Sequence, residues 1–382
     1  MKKILICIVA CLSCLSITVN AQTISVNDVY AVPGSTAYFT TNLTGGKVGV
    51  YESFGFNINY PEGFSSTGEY LTNWEKASVE FGPIRAGMIN SNYLPTSDLD
   101  NILSVEFAVD KSVQPGTYEI TLTDIELGYN KVYTDKPEAV TFNVIVSDIL
   151  ILDENAEVAP KATTSAQSVK VLRTIKANEW STICLPFALN NADLKKTFGD
   201  DVEVALIDGY EVEEDGGNII GLNVSFSKEG TMVIRANTPY IIKVGQDVSD
   251  FTVSKKVAPA NVEKEVENDD LEIYITMKGT YSANTVVPAN SLFLSEGKFW
   301  YSVGKTKMKA FRAYFTFMDV LSSLDSASSR VKFFVTDGDT ATEIQIPELM
   351  PNDGEYYDLR GLRVETPAKG VYIKDGKKVV VK

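Results

Sequence analysis

Histidine does not occur anywhere in the 382 residues. Its absence excludes Ser-His-Asp and Cys-His triads, the usual zinc ligand sets and the commonest general base. Cysteine is nearly as scarce. Of the four present, Cys7, Cys11 and Cys14 lie in an N-terminal apolar segment. With that segment cleaved, Cys184 alone remains, no internal disulfide can form, and the fold must rest on its apolar core. Positive charge is in the minority, with 35 Lys and Arg against 50 Asp and Glu, for a net −15, or −17 once Lys2 and Lys3 are lost. Such a surface repels phosphate backbones, and no basic, aromatic-interleaved patch occurs, so nucleic acid is excluded as a partner. No later stretch supplies the roughly 18 consecutive apolar residues of a transmembrane helix. Helical periodicity is confined to Ala192–Phe198, with Asn190 or Asn191 as its cap.

What the chain does contain begins with an address. Met1-Lys2-Lys3 is basic, Ile4 to Ile17 is almost wholly apolar, and Val19-Asn20-Ala21 offers small residues before Gln22. That order is a secretory signal peptide with cleavage near Ala21. Ile8-Val9-Ala10-Cys11 resembles a lipobox, although the apolar region before Cys11 is short and the segment stays signal-like through Ala21. A secreted or cell-surface protein is expected. About 360 mature residues exceed what one core usually serves, so several domains are expected.

From Ile24 to Val146 the chain alternates. Phe54, Phe56, Ile58 and Tyr60 are interleaved with Gly55, Asn57 and Asn59, and Leu103, Val105, Phe107 and Val109 with Ser104, Glu106 and Asp110. Period-two alternation puts the apolar groups on one face of a strand. Tyr118, Ile120 and Leu122, then Phe142, Val144 and Val146, repeat it. Turns fall at Pro33-Gly34, Gly45-Gly46, Pro61-Glu62-Gly63 and Pro115-Gly116, and strands so spaced predict a β-sandwich. Val29 through Ser35, Gly55 to Pro61, Leu103 to Phe107 and Pro115 to Ile120 together resemble the strands and turns of cohesin-like modules. The resemblance covers residues 24–147 and implies a jelly-roll sandwich related to carbohydrate-binding modules, whose relatives bind dockerins, sugars or other partners.

Residues 148–168 are polar and small after Ile149-Leu150-Ile151-Leu152, and read as an extended or mobile linker. The apolar quartet is expected to close the first domain as its last strand. A second β-rich domain is expected over 169–346. Glu179 to Phe187, Thr238 to Lys243 and Ala310 to Phe315 look like a domain common in secreted proteins of Bacteroidetes that has no settled activity. The tail at 355–382, with Tyr356-Tyr357-Asp358-Leu359-Arg360-Gly361 and Lys369-Gly370-Val371-Tyr372-Ile373, resembles the C-terminal segment of many such exports and implies a sorting signal. Asp375-Gly376 marks a hairpin there. The fold class expected is therefore all-β, with an N-terminal jelly-roll or immunoglobulin-like β-sandwich, a second β-rich domain and a C-terminal β-hairpin tail.

Candidate chemistry is sparse. Cys184, between Ile183 and Leu185-Pro186, reads as a buried packing residue rather than a nucleophile. Glu211 to Asn218 lacks the spacing of a calcium loop and reads as a charged turn. Asp325-Ser326-Ala327 and Asp339-Thr340-Ala341 match a short glycosylation pattern. Aromatic rings in loops of the first domain are the binding candidates, because sugar faces stack on exposed rings held rigid by a sheet. Trp74 leads, a core position being its equal alternative, followed by Tyr70, Tyr93 and Tyr51, with Tyr129 and Tyr133 nearby. No metal or cofactor is implied. The expected function is non-catalytic binding of a glycan or protein outside the cell. An adhesive or structural assembly component is the alternative, and a carboxylate-based glycoside hydrolase comes third.

Overall fold

A computed structural model describes residues 22–381 except 83, 130–132, 216–217, 229, 269–272, 318–329, 338–339, 345–347, 350–355, 358–362, 365–369 and 375–376. The first unit is built from β1 (Thr23–Ser25), β2 (Val29–Ala31), β3 (Thr36–Thr44), β4 (Ser53–Asn59), β5 (Phe64–Leu71) and β6 (Ala77–Phe81). It continues with β7 (Arg85–Asn90), β8 (Leu99–Val109), β9 (Gly116–Tyr129), β10 (Tyr133–Asp135) and β11 (Val140–Val146). One sheet has the order β1-β3-β8-β5, the other β2-β11-β9-β4-β7-β6, with β10 beside β9.

The alternation decides how these sheets meet. Phe54, Phe56, Ile58, Leu103, Val105, Phe107, Ile120 and Leu122 are buried in one core between the two sheets. Phe39 bridges them, with ring centroids 5.0 Å from Phe142 and 6.2 Å from Phe56. Each fully buried side chain of this size contributes about 1.5–3 kcal/mol, which lets the unit stand without a disulfide.

Two register shifts shape the outer faces. On β9, the pairing with β4 slips between Gly55 and Asn57, and Asp124 takes a φ of 47°. On β5, the pairing with β8 slips between Ser66 and Tyr70, so that Thr67, Gly68 and Glu69 bulge out of the ladder. Gly68, at φ 84°, supplies the left-handed conformation that bulge needs.

The apolar quartet does not close the first unit. Leu150–Asp153 forms β12, which runs parallel to β13 (Gln167–Ile175) and so begins the second unit. Its burial explains the switch: Leu152 joins the cluster of Val169, Val171 and Ile175. β13 pairs in turn with strand Val248–Lys255.

Two six-stranded sheets follow. They enclose a core in which Phe299 stacks on Phe333 at 3.6 Å, Phe315 meets Phe299 edge-on, and Phe226 meets Phe315 edge-on in turn. Among the described residues the helix is α1 (Asn191–Phe198), capped by Asn190 in a reciprocal box with Asp193. Strands Gly370–Lys374 and Lys377–Val381 pair with Lys374 opposite Lys377. That is the pairing a two-residue hairpin produces, although Asp375 and Gly376 themselves lie outside the described residues. The strands of the tail form their own four-stranded sheet. No helix among the described residues is long and apolar enough to cross a membrane.

Candidate functional site

The two outward faces of the N-terminal sandwich differ. On the face of β9-β4-β7-β6, register brings Gly55 beside Gly87, and Ser53 between Ile89 and Gly128. A Cβ on Gly87 would meet nothing within 4 Å, so the sheet is a bare backbone floor there, whereas the Arg85 guanidinium lies over Gly55 and the Ser53 hydroxyl over Gly128. Ile89 stands above it 69% exposed, the most exposed of the large apolar side chains described. One side of the floor is bounded by a polar row. Arg85 donates to Glu126 at 3.0 Å and to Asn57 at 3.2 Å, and Asn57 donates to Asp124 at 2.7 Å.

The face of β3-β8-β5 is covered instead. Ser104 and Glu106 point out of the sandwich, yet they are fully or nearly fully buried. The β5 bulge supplies part of the cover, since Thr67 Oγ1 donates to Glu106 Oε2 at 2.6 Å. The rest comes from residues 155–164. Lys161 forms an ion pair with Glu106, donates to Thr36 Oγ1 at 2.7 Å, and lies 5.2 Å from the centre of the Tyr38 ring.

The segment expected to be a linker is thus a strap seated between the units. Glu154 at its start is buried, held by Arg312 at 2.8 Å, Lys309 at 2.9 Å and Arg173 at 3.6 Å. Burial pushes the Glu154 carboxyl up, but Arg312, Lys309 and Arg173 outweigh it and keep it below the usual glutamate range. Ala283 N–H donates to Ala156, and Thr163 N–H to Val257, so the strap is hydrogen-bonded to the second unit. Toward the first unit, Glu157 accepts amide hydrogen bonds from Asn27 at 2.8 Å and Asn42 at 2.9 Å. Asn284 of the second unit donates to the same carboxylate at 3.3 Å. Burial lifts the Glu157 carboxyl above its usual value; the Asn42 and Asn27 amides and Lys307 oppose the shift, while Asp100 adds to it. Lys307 also pairs directly with Asp100 across the junction. A cleft of about 990 Å³ runs along the strap.

The aromatic candidates do not form one site. Trp74 is 1% exposed and Tyr51 0%, so both belong to the core and neither ring has a free face for a sugar. Trp74, in the β5–β6 connection, joins the core cluster of the sandwich, and the Tyr51 hydroxyl donates to Asp135. Tyr70 and Tyr93 are exposed, but at separate places. Tyr70 leans on Phe81 at 6.2 Å, where β5 and β6 approach across the edge of the sandwich. Tyr93 leans on Tyr129 at 6.2 Å. The side chain of Tyr133 lies outside the described residues, as do Asp325, Ser326, Ala327 and Asp339.

Elsewhere, Cys184 is fully buried against Tyr281. Burial pushes its thiol up to about 12, which keeps it protonated and unreactive at neutral pH. Trp180 is half-buried under Lys243, at 5.8 Å from ammonium to ring centre. Among the described residues no three Cys, Asp or Glu side chains gather as a metal cluster would require. The residues that sequence reasoning passed over are Glu106, Lys161, Glu157 and Glu154. Each is an ordinary charged residue in its own stretch and becomes notable only through distant partners.

No protein-family model and no curated protein matches the chain. Solved structures similar to it include cohesin modules. One is a type I cohesin–dockerin complex from Clostridium thermocellum, 20% identical over 34% of this chain and all of that one, with a TM-score of 0.29. Another is a cohesin module of a family 33 glycoside hydrolase from Clostridium perfringens, 22% identical over 33% of this chain and 96% of that one, with a TM-score of 0.28. A third is a non-cellulosomal cohesin from Archaeoglobus fulgidus, 16% identical over 33% and 91%, with a TM-score of 0.27.

Proposed function

We propose that the chain is a non-catalytic, extracellular binding protein whose N-terminal sandwich docks a protein partner on the open face of β9-β4-β7-β6. The observation that carries this reading is the bare backbone at Gly87 beside the exposed Ile89. A flat backbone surface lets a partner approach closely, one apolar side chain offers an anchor, and the Arg85–Glu126 row supplies a polar rim. The opposite face is filled by the chain itself. In this reading the signal peptide takes the chain out of the cell, the tail directs its sorting, and the second unit holds the sandwich through the strap.

The test uses the whole mature chain with Gly87→Arg and Ile89→Asp, neither of which touches the core. Immobilised wild type is used to enrich clones from a displayed library of protein fragments, and the same preparations are applied to a glycan array. Clones that bind wild type and are lost with either variant establish the face. Glycan binding that survives both variants and is lost in Tyr93→Ala would instead place a sugar site at the Tyr93–Tyr129 pair, the second reading this structure supports. Silence of the folded chain in both screens would remove the binding assignment.

A further inference from the structure

On the face opposite to the proposed docking surface, the geometry points to a lysine-recognition site formed by Glu106, Thr36, Thr67 and Tyr38, occupied here by the chain's own Lys161 and able to take a lysine from an extended segment of another protein. The site stands independently of the partner assigned to the open face.

Four features make it a binding site rather than a chance ion pair. Glu106 is only 5% exposed although it projects from the outer side of a sheet; a buried carboxylate of this kind is tolerated only with a cationic or hydrogen-bonding partner. Its oxygens are held by the sheet's own hydroxyls as well as by the lysine. Thr67 donates to Oε2 at 2.6 Å and Thr36 to Oε1 at 3.3 Å. The Tyr38 ring forms one wall, at a distance where a ring face attracts an ammonium. A compact ammonium with three donors suits a carboxylate, a hydroxyl and a ring face together, whereas a planar guanidinium prefers a two-pronged partner.

The mode of occupation shows which ligand fits. Lys161 is delivered by Pro160-Lys161-Ala162, flanked by small residues, and its side chain remains about half exposed while the ammonium is engaged. The site therefore reads the end of the side chain and asks little of its neighbours beyond an extended backbone. The strap is held to the first unit by polar contacts, at Lys161 and Glu157, with Lys307–Asp100 alongside. Contacts of this type exchange with water more readily than an apolar seam does. A tethered segment competes at an effective concentration in the millimolar range, so an external lysine engages mainly when the strap lifts.

The test uses the full mature chain. Lys161→Ala empties the site, and Nα-acetyl-lysine amide is the probe, with its Nε-acetylated form as control. Saturable binding of the probe to Lys161→Ala is expected, at least about tenfold tighter than that of the control, and lost on adding Glu106→Gln. Equal binding of probe and control, or no binding to a folded Lys161→Ala chain, overturns the proposal. Should that variant not fold, wild type decides the matter. A synthetic peptide of residues 156–165, its own lysine intact, is added while amine acetylation of Lys161 is followed by mass spectrometry. A rate that rises with peptide, and not with a peptide carrying Lys161→Ala, supports the site; an unchanged rate overturns it.

Discussion

On β4 and on β8 apolar side chains alternate with small or polar ones, and in both strands the apolar set fills the same core. The outward sets have different fates. Beside β4, Gly87 and Ile89 face open space, while Ser104 and Glu106 lie beneath the β5 bulge and the strap. Alternation separates the inside of a sandwich from its outside, but it does not say whether the outside meets water. The comparison also explains the two kinds of residue on those faces. Gly87 stands where nothing of the chain comes near; the Glu106 carboxylate stands where a lysine is delivered to it.

Five substitutions and a pH series test this contrast, beginning with the largest effect. Glu154→Ala should cost roughly 3–5 kcal/mol in denaturant unfolding, because it leaves Arg173, fully buried, without its carboxylate. A loss under 1 kcal/mol would mean that the strap is not anchored in the second unit as described. Trp74→Ala should cost a similar amount, about 3–5 kcal/mol, through the cavity it opens in the sandwich core. If the protein keeps its stability and instead loses a ligand, the ring belongs to a surface after all.

Lys161→Ala should be milder, roughly 1–2 kcal/mol. Its side chain is half exposed and screened, and the Thr36 and Thr67 hydroxyls still serve Glu106. The open face gives the smallest change. Gly87→Arg and Ile89→Asp should each stay within about 0.5 kcal/mol of wild type, as exposed substitutions do. A Gly87→Arg chain as unstable as Glu154→Ala would show that this face is covered too.

The pH series addresses the junction. Glu157, lifted by burial, holds its proton more tightly in the folded chain, so its contribution is most favourable below the ordinary glutamate range and declines as pH rises through the lifted value. Glu154 behaves oppositely. Its folded-state value is lowered, so the stability it adds is present above the ordinary range and is lost as pH falls through the lowered value. Glu157→Gln should abolish the decline on the rising side and leave the acid side intact, read from urea midpoints between mildly acid and neutral pH. An unchanged rising side would show that Glu157 is solvated and not part of a seated strap.

Much of the architecture was legible. The strands of the sandwich, the short helix after Asn190 and the paired strands of the tail all follow from local rules of alternation, capping and turn chemistry. Cys184 in an apolar run was legible for the same reason. The aromatic candidates were less so. Trp74 and Tyr51 sit in stretches that look like loops, and burial there depends on how the chain between β5 and β6, or before β4, folds back over the core. The strap was misread because composition measures how much apolar surface a segment can bury. It says nothing of polar seating. Ala156, Glu157, Lys161 and Thr163 are held by hydrogen bonds and ion pairs whose partners lie elsewhere in the chain.

Alternating strands, turn residues and an apolar content sufficient for a core without disulfides are properties of neighbouring residues, and they specify an all-β chain with an inside and an outside. Which outside stays open is set by contacts such as Asn42 to Glu157, 115 residues apart, and Glu106 to Lys161. Those contacts depend on where two separately formed units come to rest, and no periodicity within either unit encodes that meeting.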